Sequence, residues 1–320
     1  PTSSGFANML VNRGGLENKG LEIGLDVTAI DKGDFNLSFG GNISFNKSKI
    51  ENLGLVPGDI LMSDGMGGYA NQQIASYLGN VPSRGNSIKF PINIFMEGHE
   101  VALFYGWKTD GLFQSGDTMY PINGSMSQPG DIKVLDLNGD GVVDLADRTV
   151  IGNPNPDYVY GFNVNLSYKG FSMRALFNGV EGNEIVNGNY YRFGWAEGTY
   201  RNIVADAWYD RWTPDNTSAA YPRLGYSANL FGALMDRVIE DGSYLRLKSI
   251  TLNYDIPLSN NNFIDAANVY ITGSNLFTWT DYSGYDPEIT TFLWDGLLQG
   301  TDWNNKPNSR SVLVGVNLNF

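Results

Sequence analysis

Hydrophobic and polar side chains alternate along much of this chain. Between Tyr158 and Lys169, the residues Tyr158, Tyr160, Phe162, Val164, Leu166 and Tyr168 share one parity, and Val159, Gly161, Asn163, Asn165, Ser167 and Lys169 share the other. In the next run Phe171, Met173, Ala175 and Phe177 oppose Ser172, Arg174 and Asn178. Successive strand residues point to opposite faces, so each run is a strand with one apolar and one polar face. A soluble sandwich alternates too. Here the polar face is rich in Asn, Ser and Gly, and aromatic residues gather at the strand ends. That combination predicts a transmembrane barrel, with lipid on one side, a wet lumen on the other and aromatic girdles at both interfaces.

The same pattern recurs. Leu21, Ile23, Leu25, Val27 and Ala29 oppose Glu22, Gly24, Asp26 and Thr28; the turn Asp31-Lys32-Gly33-Asp34 follows, and then Phe35, Leu37, Phe39, Gly41, Ile43 and Phe45 oppose Asn36, Ser38, Gly40, Asn42, Ser44 and Asn46. Ile250, Leu252 and Tyr254 mark a further strand face, as do Val269, Ile271, Gly273 and Phe277. Val312, Val314, Val316, Leu318 and Phe320 form the last. Seven antiparallel strands are therefore expected at 20–30, 35–47, 158–168, 171–180, 244–255, 268–278 and 311–320. Their connections alternate short and long, the rhythm of periplasmic turns and extracellular loops. With the last strand ending in the periplasm, residues 1–18 start outside the cell. Bacterial single-chain barrels have even strand counts, so residues 1–320 are expected to be the C-terminal part of a larger barrel, all-β, without its plug.

The long connections, 49–157, 181–242 and 280–309, would be unusual in a compact soluble domain. A short helix is expected near Gln72–Leu78, strands at Ile88–Phe95 and Val101–Gly106, and a helix from Ile203 to Trp212, ended before Pro214.

Composition narrows the function. There is no cysteine, which removes disulfides and thiolate sites, and the single histidine, His99, argues against a catalytic triad and against a multi-histidine zinc site. His99 is read as a local hydrogen-bonding group. Neither a nucleophile elbow nor a phosphate loop occurs, so an enzyme is not expected. The net charge of −13 argues against nucleic acid. Residues 50–157 hold 13 acidic and 5 basic side chains, much of that excess. No signal peptide is read at Pro1, and no apolar run suits a membrane helix.

Part of the acidity is a motif. Asp136, Asn138, Asp140, the Val142 carbonyl, Asp144 and Asp147 match the ligand positions of a calcium loop, with Gly141 at the sharp turn and Asp147 where glutamate is usual. Calcium is the expected cofactor; an Asx-turn network without metal is the other reading. Tyr190, Tyr191, Phe193, Trp195, Tyr200, Trp208, Tyr209 and Trp212 crowd the second connection. They are read as packing a loop core or a partner interface, with stacking on sugars as the alternative.

Residues Asp136–Phe171, DLNGDGVVDLADRTVIGNPNPDYVYGFNVNLSYKGF, resemble a signature of the SusC/RagA-type TonB-dependent receptors of the bacterial outer membrane. Further stretches are similar to that family: Asn12–Glu22, Phe104–Phe113, Trp212–Pro214 with Tyr221–Arg223, Glu240–Lys248, Ser274–Thr280 and Gly284–Glu288. The resemblance implies a barrel of about 22 strands with a plugged lumen. It also implies import of oligosaccharide or peptide nutrients, a SusD-like surface lipoprotein as partner, and energy delivered by TonB through an N-terminal region. A passive porin and a soluble calcium-dependent carbohydrate-binding β-domain remain open alternatives at this point.

Overall fold

The computed structural model describes residues 14–82, 88–193, 202–225, 232–258, 263–289 and 291–320. Seven long strands form one sheet: β1 (Gly15–Lys32), β2 (Phe35–Asn52), β3 (Tyr158–Tyr168), β4 (Phe171–Glu181), β5 (Tyr244–Ile256), β6 (Ala266–Thr280) and β7 (Ser311–Asn319). They lie side by side in chain order, each antiparallel to the next. All seven expected strands are present. The first hairpin runs longer than the alternation suggests, because pairing persists out to Gly15 opposite Asn52.

Register turns seven amphipathic strands into one two-faced wall. Leu25 stands opposite Gly41, Gly41 opposite Phe162, Phe162 opposite Phe177, Phe177 opposite Leu247, and Leu247 opposite Phe277. On the other face the row runs Thr28, Ser38, Asn165, Arg174, Thr251, Thr272. Side chains on this face bond each other: Asn165 Nδ2 donates to Asn163 Oδ1 at 2.8 Å, the Thr251 and Thr272 hydroxyls are 2.9 Å apart, and Asn317 Nδ2 donates to Asn268 Oδ1 at 2.9 Å. A one-residue slip would send every apolar side chain to the polar face, so the pattern fixes the register.

Aromatic residues mark both ends of the apolar face. Phe35–Tyr168 (6.2 Å between ring centroids) and Phe171–Tyr254 (4.3 Å) lie at the end with the short turns, and Phe45–Tyr158 (5.6 Å) and Phe277–Trp279 (6.0 Å) at the other. Tyr158 and Tyr168 are ten residues apart in β3. At ~3.3 Å per residue that is ~33 Å along the strand, and a tilt of ~40° reduces it to ~25 Å, the height of an outer-membrane apolar band. The β3–β4 turn has Lys169 at φ 47° and Gly170 at φ 83°. Two consecutive positive φ values match the two-residue hairpin turn whose twist suits the flanking strands.

The hydrophobic core is not in the wall. Trp107, Trp303, Phe104, Phe113, Ile92, Ile132, Ile185 and Leu234 are fully buried, and all of them lie in the long connections. Away from the rim, where Tyr244, Arg246 and Leu247 are buried, most wall residues stay at least partly exposed, so apolar burial concentrates where the connections fold on one another. They interlock through main-chain bonds: Lys89 N to Gly232 O, Trp107 N to Leu234 O and Val186 N to Gly300 O, each 2.9 Å.

Two local expectations fail. Gln72–Leu78 is not helical. Tyr69–Ile74 pairs with Gly58–Ser63 as a hairpin, and Ser76–Leu78 pairs with Asn93–Met96. The Asp64 carboxylate accepts Met66 N and Gly68 N, which nucleates the hairpin turn and overrides local helix propensity. The second helix spans only Ala205–Tyr209. Val204 at its start offers no side-chain cap, so little holds a longer helix against the competing turn at Asp210. Of the expected strands inside the first connection, only Asn93–Met96 and Leu103–Gly106 form. The start of the chain up to residue 13, the tip of the β5–β6 turn at 259–262, and Trp195 and Tyr200 lie outside the described residues.

Candidate functional site

The site begins at the rim where wall meets connections. Arg246 of β5 stands opposite Asn178 and Thr278, all three on the polar face. Its side chain is about 1 % exposed. Nη2 lies 2.5 Å from Asp286 Oδ1, Nη1 2.7 Å from Glu288 Oε2, and Nε donates to Thr278 Oγ1 at 3.0 Å. This cluster fastens the third connection inward over the polar face. Burial alone would raise the Asp286 carboxyl, but hydrogen bonds from Asn308 N, Arg246 and Glu288 N outweigh it, and the group sits below its ordinary value. Two stretches singled out in the sequence, Glu240–Lys248 and Gly284–Glu288, thus meet through one buried ion cluster.

A second lock joins the second and third connections. Asn187 Nδ2 and Ser283 Oγ both donate to Glu240 Oε1 at 2.8 Å, and Ser283 N donates to Oε2 at 2.8 Å. Tyr282 Oη donates to Asp302 Oδ2 at 2.7 Å, which pushes the phenol well above its usual range, burial being the larger cause. Gly188 lies beside this lock, where a Cβ would stand 2.1 Å from the Trp303 ring.

The acidic loop folds around its own backbone. Asp136 accepts Gly139 N through Oδ1 (2.7 Å) and Gly141 N through Oδ2 (2.8 Å). Asn138 Oδ1 accepts Asp140 N and Asp140 Oδ1 accepts Val142 N, both at 2.9 Å. Asp144 caps the turn Leu145–Asp147 by accepting Ala146 N. Asp147, completely buried, accepts Leu137 N and Asp144 N at 2.8 Å. Burial raises its carboxyl, although those backbone bonds pull the other way. Trp107 Nε1 donates to Asp144 O at 2.8 Å and ties the loop to the core. Gly139 (φ 77°) and Gly141 (φ 87°) supply the left-handed turn that the motif requires. Except for Asp147 Oδ1, which accepts both Leu137 N and Asn138 N, each of these carboxylate oxygens keeps a spare lone pair for a cation. Even so, among the described residues no three His, Cys, Asp or Glu side chains are gathered closely enough to hold a metal ion. Hydrogen bonds alone account for this arrangement of the loop.

The aromatic set of the second connection divides. Tyr191 and Trp212 are buried in the core, with Tyr191 Oη accepting Gly232 N and Trp212 Nε1 donating to Gln114 Oε1. Trp208 and Tyr209 are exposed. His99 makes local contacts, its Nδ1 lying 3.0 Å from Glu97 O.

Sequence reasoning missed Arg148. It is buried, donates from Nη2 to Pro91 O and Tyr105 O, and lies 4.4 Å from the centroid of the Tyr105 ring and 5.1 Å from that of Trp107. Burial lowers it to about 10. It serves as a cation–π rivet of the core beside the acidic loop. Its partners come from residues 90–107, and no local spacing could have shown them.

No family model matches the chain. It is 32% identical over 326 aligned positions to TonB-dependent receptor P26 of Formosa agariphila, covering all of this chain and 31% of that protein. It is 28% identical over 329 positions to TonB-dependent receptor SusC of Bacteroides thetaiotaomicron, covering 28% of that receptor. Among solved structures, the RagAB peptide importer in its open-open state superposes with a TM-score of 0.72 at 26% identity, over 100% of this chain and 30% of the matched one. The chain thus spans about a third of the length of these relatives. Along its whole length it is a homologue of the SusC/RagA-type TonB-dependent receptors, and it has the fold of their C-terminal β-barrel portion.

Proposed function

We propose that this chain forms part of the wall and extracellular mouth of an outer-membrane receptor that imports a nutrient, a glycan fragment or a peptide, with energy supplied through TonB. The observation that carries this reading is the wall itself. One continuous apolar face carries aromatic rows ~25 Å apart, as a lipid-facing band requires, and the opposite face is rich in Asn, Ser, Thr and Gly, which suits a wet lumen. A soluble carbohydrate-binding domain would have to cover that apolar face with further protein. The homology favours an energised receptor over a passive porin. TonB would act through the part of the relatives that this chain does not span. The connections expose large apolar side chains, Met66, Trp208, Tyr209, Leu293 and Trp294, which supports a SusD-like lipoprotein as partner. The test is growth and uptake: deleting the gene should abolish TonB-dependent uptake of one class of oligosaccharide or peptide, and the full-length receptor should co-purify with a surface lipoprotein. Uptake that persists without TonB would support a porin instead.

Calcium on the Asp136–Asp147 loop belongs to the same reading. Support comes from the donor spacing and from the two left-handed glycines. Side chains now turned to backbone N–H groups would have to converge, and a bound ion would stiffen the mouth. Calorimetric titration of the full-length receptor with calcium should show a site that Asp140→Ala removes. No heat in the wild type leaves the Asx-turn network as the whole account.

A further inference from the structure

The apolar side of the first hairpin ends in a charge pattern that import does not use. Leu21 stands opposite Phe45, Lys19 opposite Lys47 and Glu17 opposite Lys49, in unbroken register. All six share the parity of Leu25 and Phe39, so the charged residues lie on the apolar face, directly outward of its last apolar pair. Two lysines placed opposite each other on an antiparallel pair repel. The neighbouring acids do not balance them. Glu17 gives its carboxylate to Lys19 at 2.5 Å, and neither Lys47 nor Lys49 has an ion pair among the described residues. Glu51 is farther out, its carboxylate beside Gly15. In a chain of net charge −13, two exposed lysines without a counter-ion among the described residues therefore share one spot on the apolar face.

A groove of about 370 Å³ lies on the same face, nearer its middle. Gly41 is its floor, Leu25 and Phe162 are its sides, and Phe39 and Ile43 stand at its ends. Gly41 is in regular pairing with both neighbouring strands, with no bulge. A Cβ there would meet Gly161 O at 3.4 Å and Phe162 Cβ at 3.5 Å, ordinary contacts, so packing does not demand a glycine. A glycine inside a regular strand weakens it, and with bulges and tight backbone contacts set aside it marks the close approach of a ligand. Gly41 precedes Lys47 by six residues on β2. At ~3.3 Å per residue and a tilt of ~40°, that is ~15 Å across the membrane, half of a hydrocarbon core ~30 Å thick. The groove thus sits near the midplane and the lysines at headgroup level, the span of one acyl chain in one leaflet.

We propose that this strip binds a phosphorylated glycolipid of the outer leaflet, its phosphate on Lys47 and Lys49 and one acyl chain in the Gly41 groove. The lysines lie at the end with the long connections, which is the extracellular end of a barrel. Lysines just beyond an apolar span recognise anionic headgroups. The β1–β2 ladder continues past Lys49 to Asn52 and gives a sugar headgroup a rigid surface to rest on. The polar face is on the other side of the sheet, so this site is separate from the import path and depends only on which way the wall faces.

Native mass spectrometry of the full-length receptor in detergent tests the site. The probes are lipid A (a phosphorylated, acylated glucosamine disaccharide), its dephosphorylated form, and phosphatidylglycerol. The wild type should bind lipid A at least tenfold more tightly than either of the others. Lys47→Gln combined with Lys49→Gln should weaken lipid A by about tenfold to thirtyfold, the worth of two lysines at an anionic surface. Gly41→Leu should weaken lipid A and its dephosphorylated form alike, by about tenfold, and Gly41→Ala by less, with uptake unchanged. Lys32→Gln, at the opposite end of β1, should change nothing. If Gly41→Leu lowers barrel melting, the Gly41→Ala and lysine variants still decide. Lipid A binding that is absent, or indifferent to the lysine and glycine variants, would overturn the site. A preference for phosphatidylglycerol would overturn the glycolipid assignment, and equal binding of the dephosphorylated form would overturn the part given to the lysines.

Discussion

Replacing Phe162 with arginine should be among the most damaging single changes in the wall, and the structure gives its size. Phe162 lies four residues from Tyr158 and six from Tyr168, near the middle of the apolar band. Its ring stacks on Phe177 with centroids 4.5 Å apart and planes 12° apart. An arginine on the lipid face near the midplane costs ~2–4 kcal/mol, and loss of the stacked pair adds ~0.5–1.5 kcal/mol. A total of ~3–5 kcal/mol corresponds to at least a hundredfold shift in the folding equilibrium. The control is one residue away. Asn163 is on the polar face opposite Gly40 and accepts a hydrogen bond from Asn165. Its replacement by arginine should cost about 1 kcal/mol, the worth of that bond, because the new charge ends in water. The assay is the fraction of full-length receptor that reaches the outer membrane as a heat-modifiable barrel, followed by urea unfolding in lipid vesicles. Equal damage from Phe162→Arg and Asn163→Arg would refute the assignment of the two faces.

Four other outcomes are expected. Arg246→Met should strand Asp286 and loosen residues 281–309 at a cost approaching ~3–5 kcal/mol, reduced because Glu288 is partly exposed, and limited proteolysis should show cleavage there before the wall is lost. Because the Asp286 carboxyl is held below its ordinary 3.8, its contribution is fully present above that value and is lost as pH falls through the still lower folded value. Amide protection in 281–309, taken relative to the intrinsic exchange rate at each pH, should therefore stay constant from neutrality to about pH 5 and fall below pH 3.8. Gly188→Ala should lower thermal stability by ~1–3 kcal/mol, since its Cβ would meet the Trp303 ring and the Asp302 carbonyl. Asp147→Ala leaves the part-buried N–H groups of Leu137 and Asp144 without their carboxylate, at ~1 kcal/mol each, and should promote cleavage between Asp131 and Asn153 while the barrel stays intact.

The wall was legible in the sequence because lipid and lumen each impose an unbroken period of two. Phe162 and Asn163 could be assigned to opposite faces from parity alone, but the cross-strand partners and the bulges near Thr28, Leu176 and Leu247 could not. The connections were not legible, since their strands are short and find partners far away. Leu103–Gly106 pairs with Thr149–Gly152, and Val186 with Thr301. Gln72–Leu78 was misread because its spacing also fits a helical turn, whereas the hairpin is decided by the Asp64 turn ahead of it. The Arg246–Asp286 contact spans 40 residues, and both of its stretches stood out beforehand without any sign that they meet. The calcium motif marks out the residues of this loop but not where their oxygens point. Nothing in the spacing distinguishes carboxylates aimed at a cation from carboxylates bound to backbone N–H groups.

The central claim is that alternate residues of this sheet face lipid and water. The chain contains no cysteine, so single cysteines can be introduced within it one at a time at 159–167, labelled with nitroxides in the full-length receptor, and reconstituted into lipid vesicles. Collision rates with oxygen, which partitions into lipid, and with a water-soluble nickel chelate report the two environments. Oxygen accessibility should peak at Tyr160, Phe162, Val164 and Leu166, and nickel accessibility at Val159, Gly161, Asn163, Asn165 and Ser167. Accessibilities without a period of two, or nickel contact at Phe162 and Val164 as high as at Asn163 and Asn165, would contradict the barrel wall.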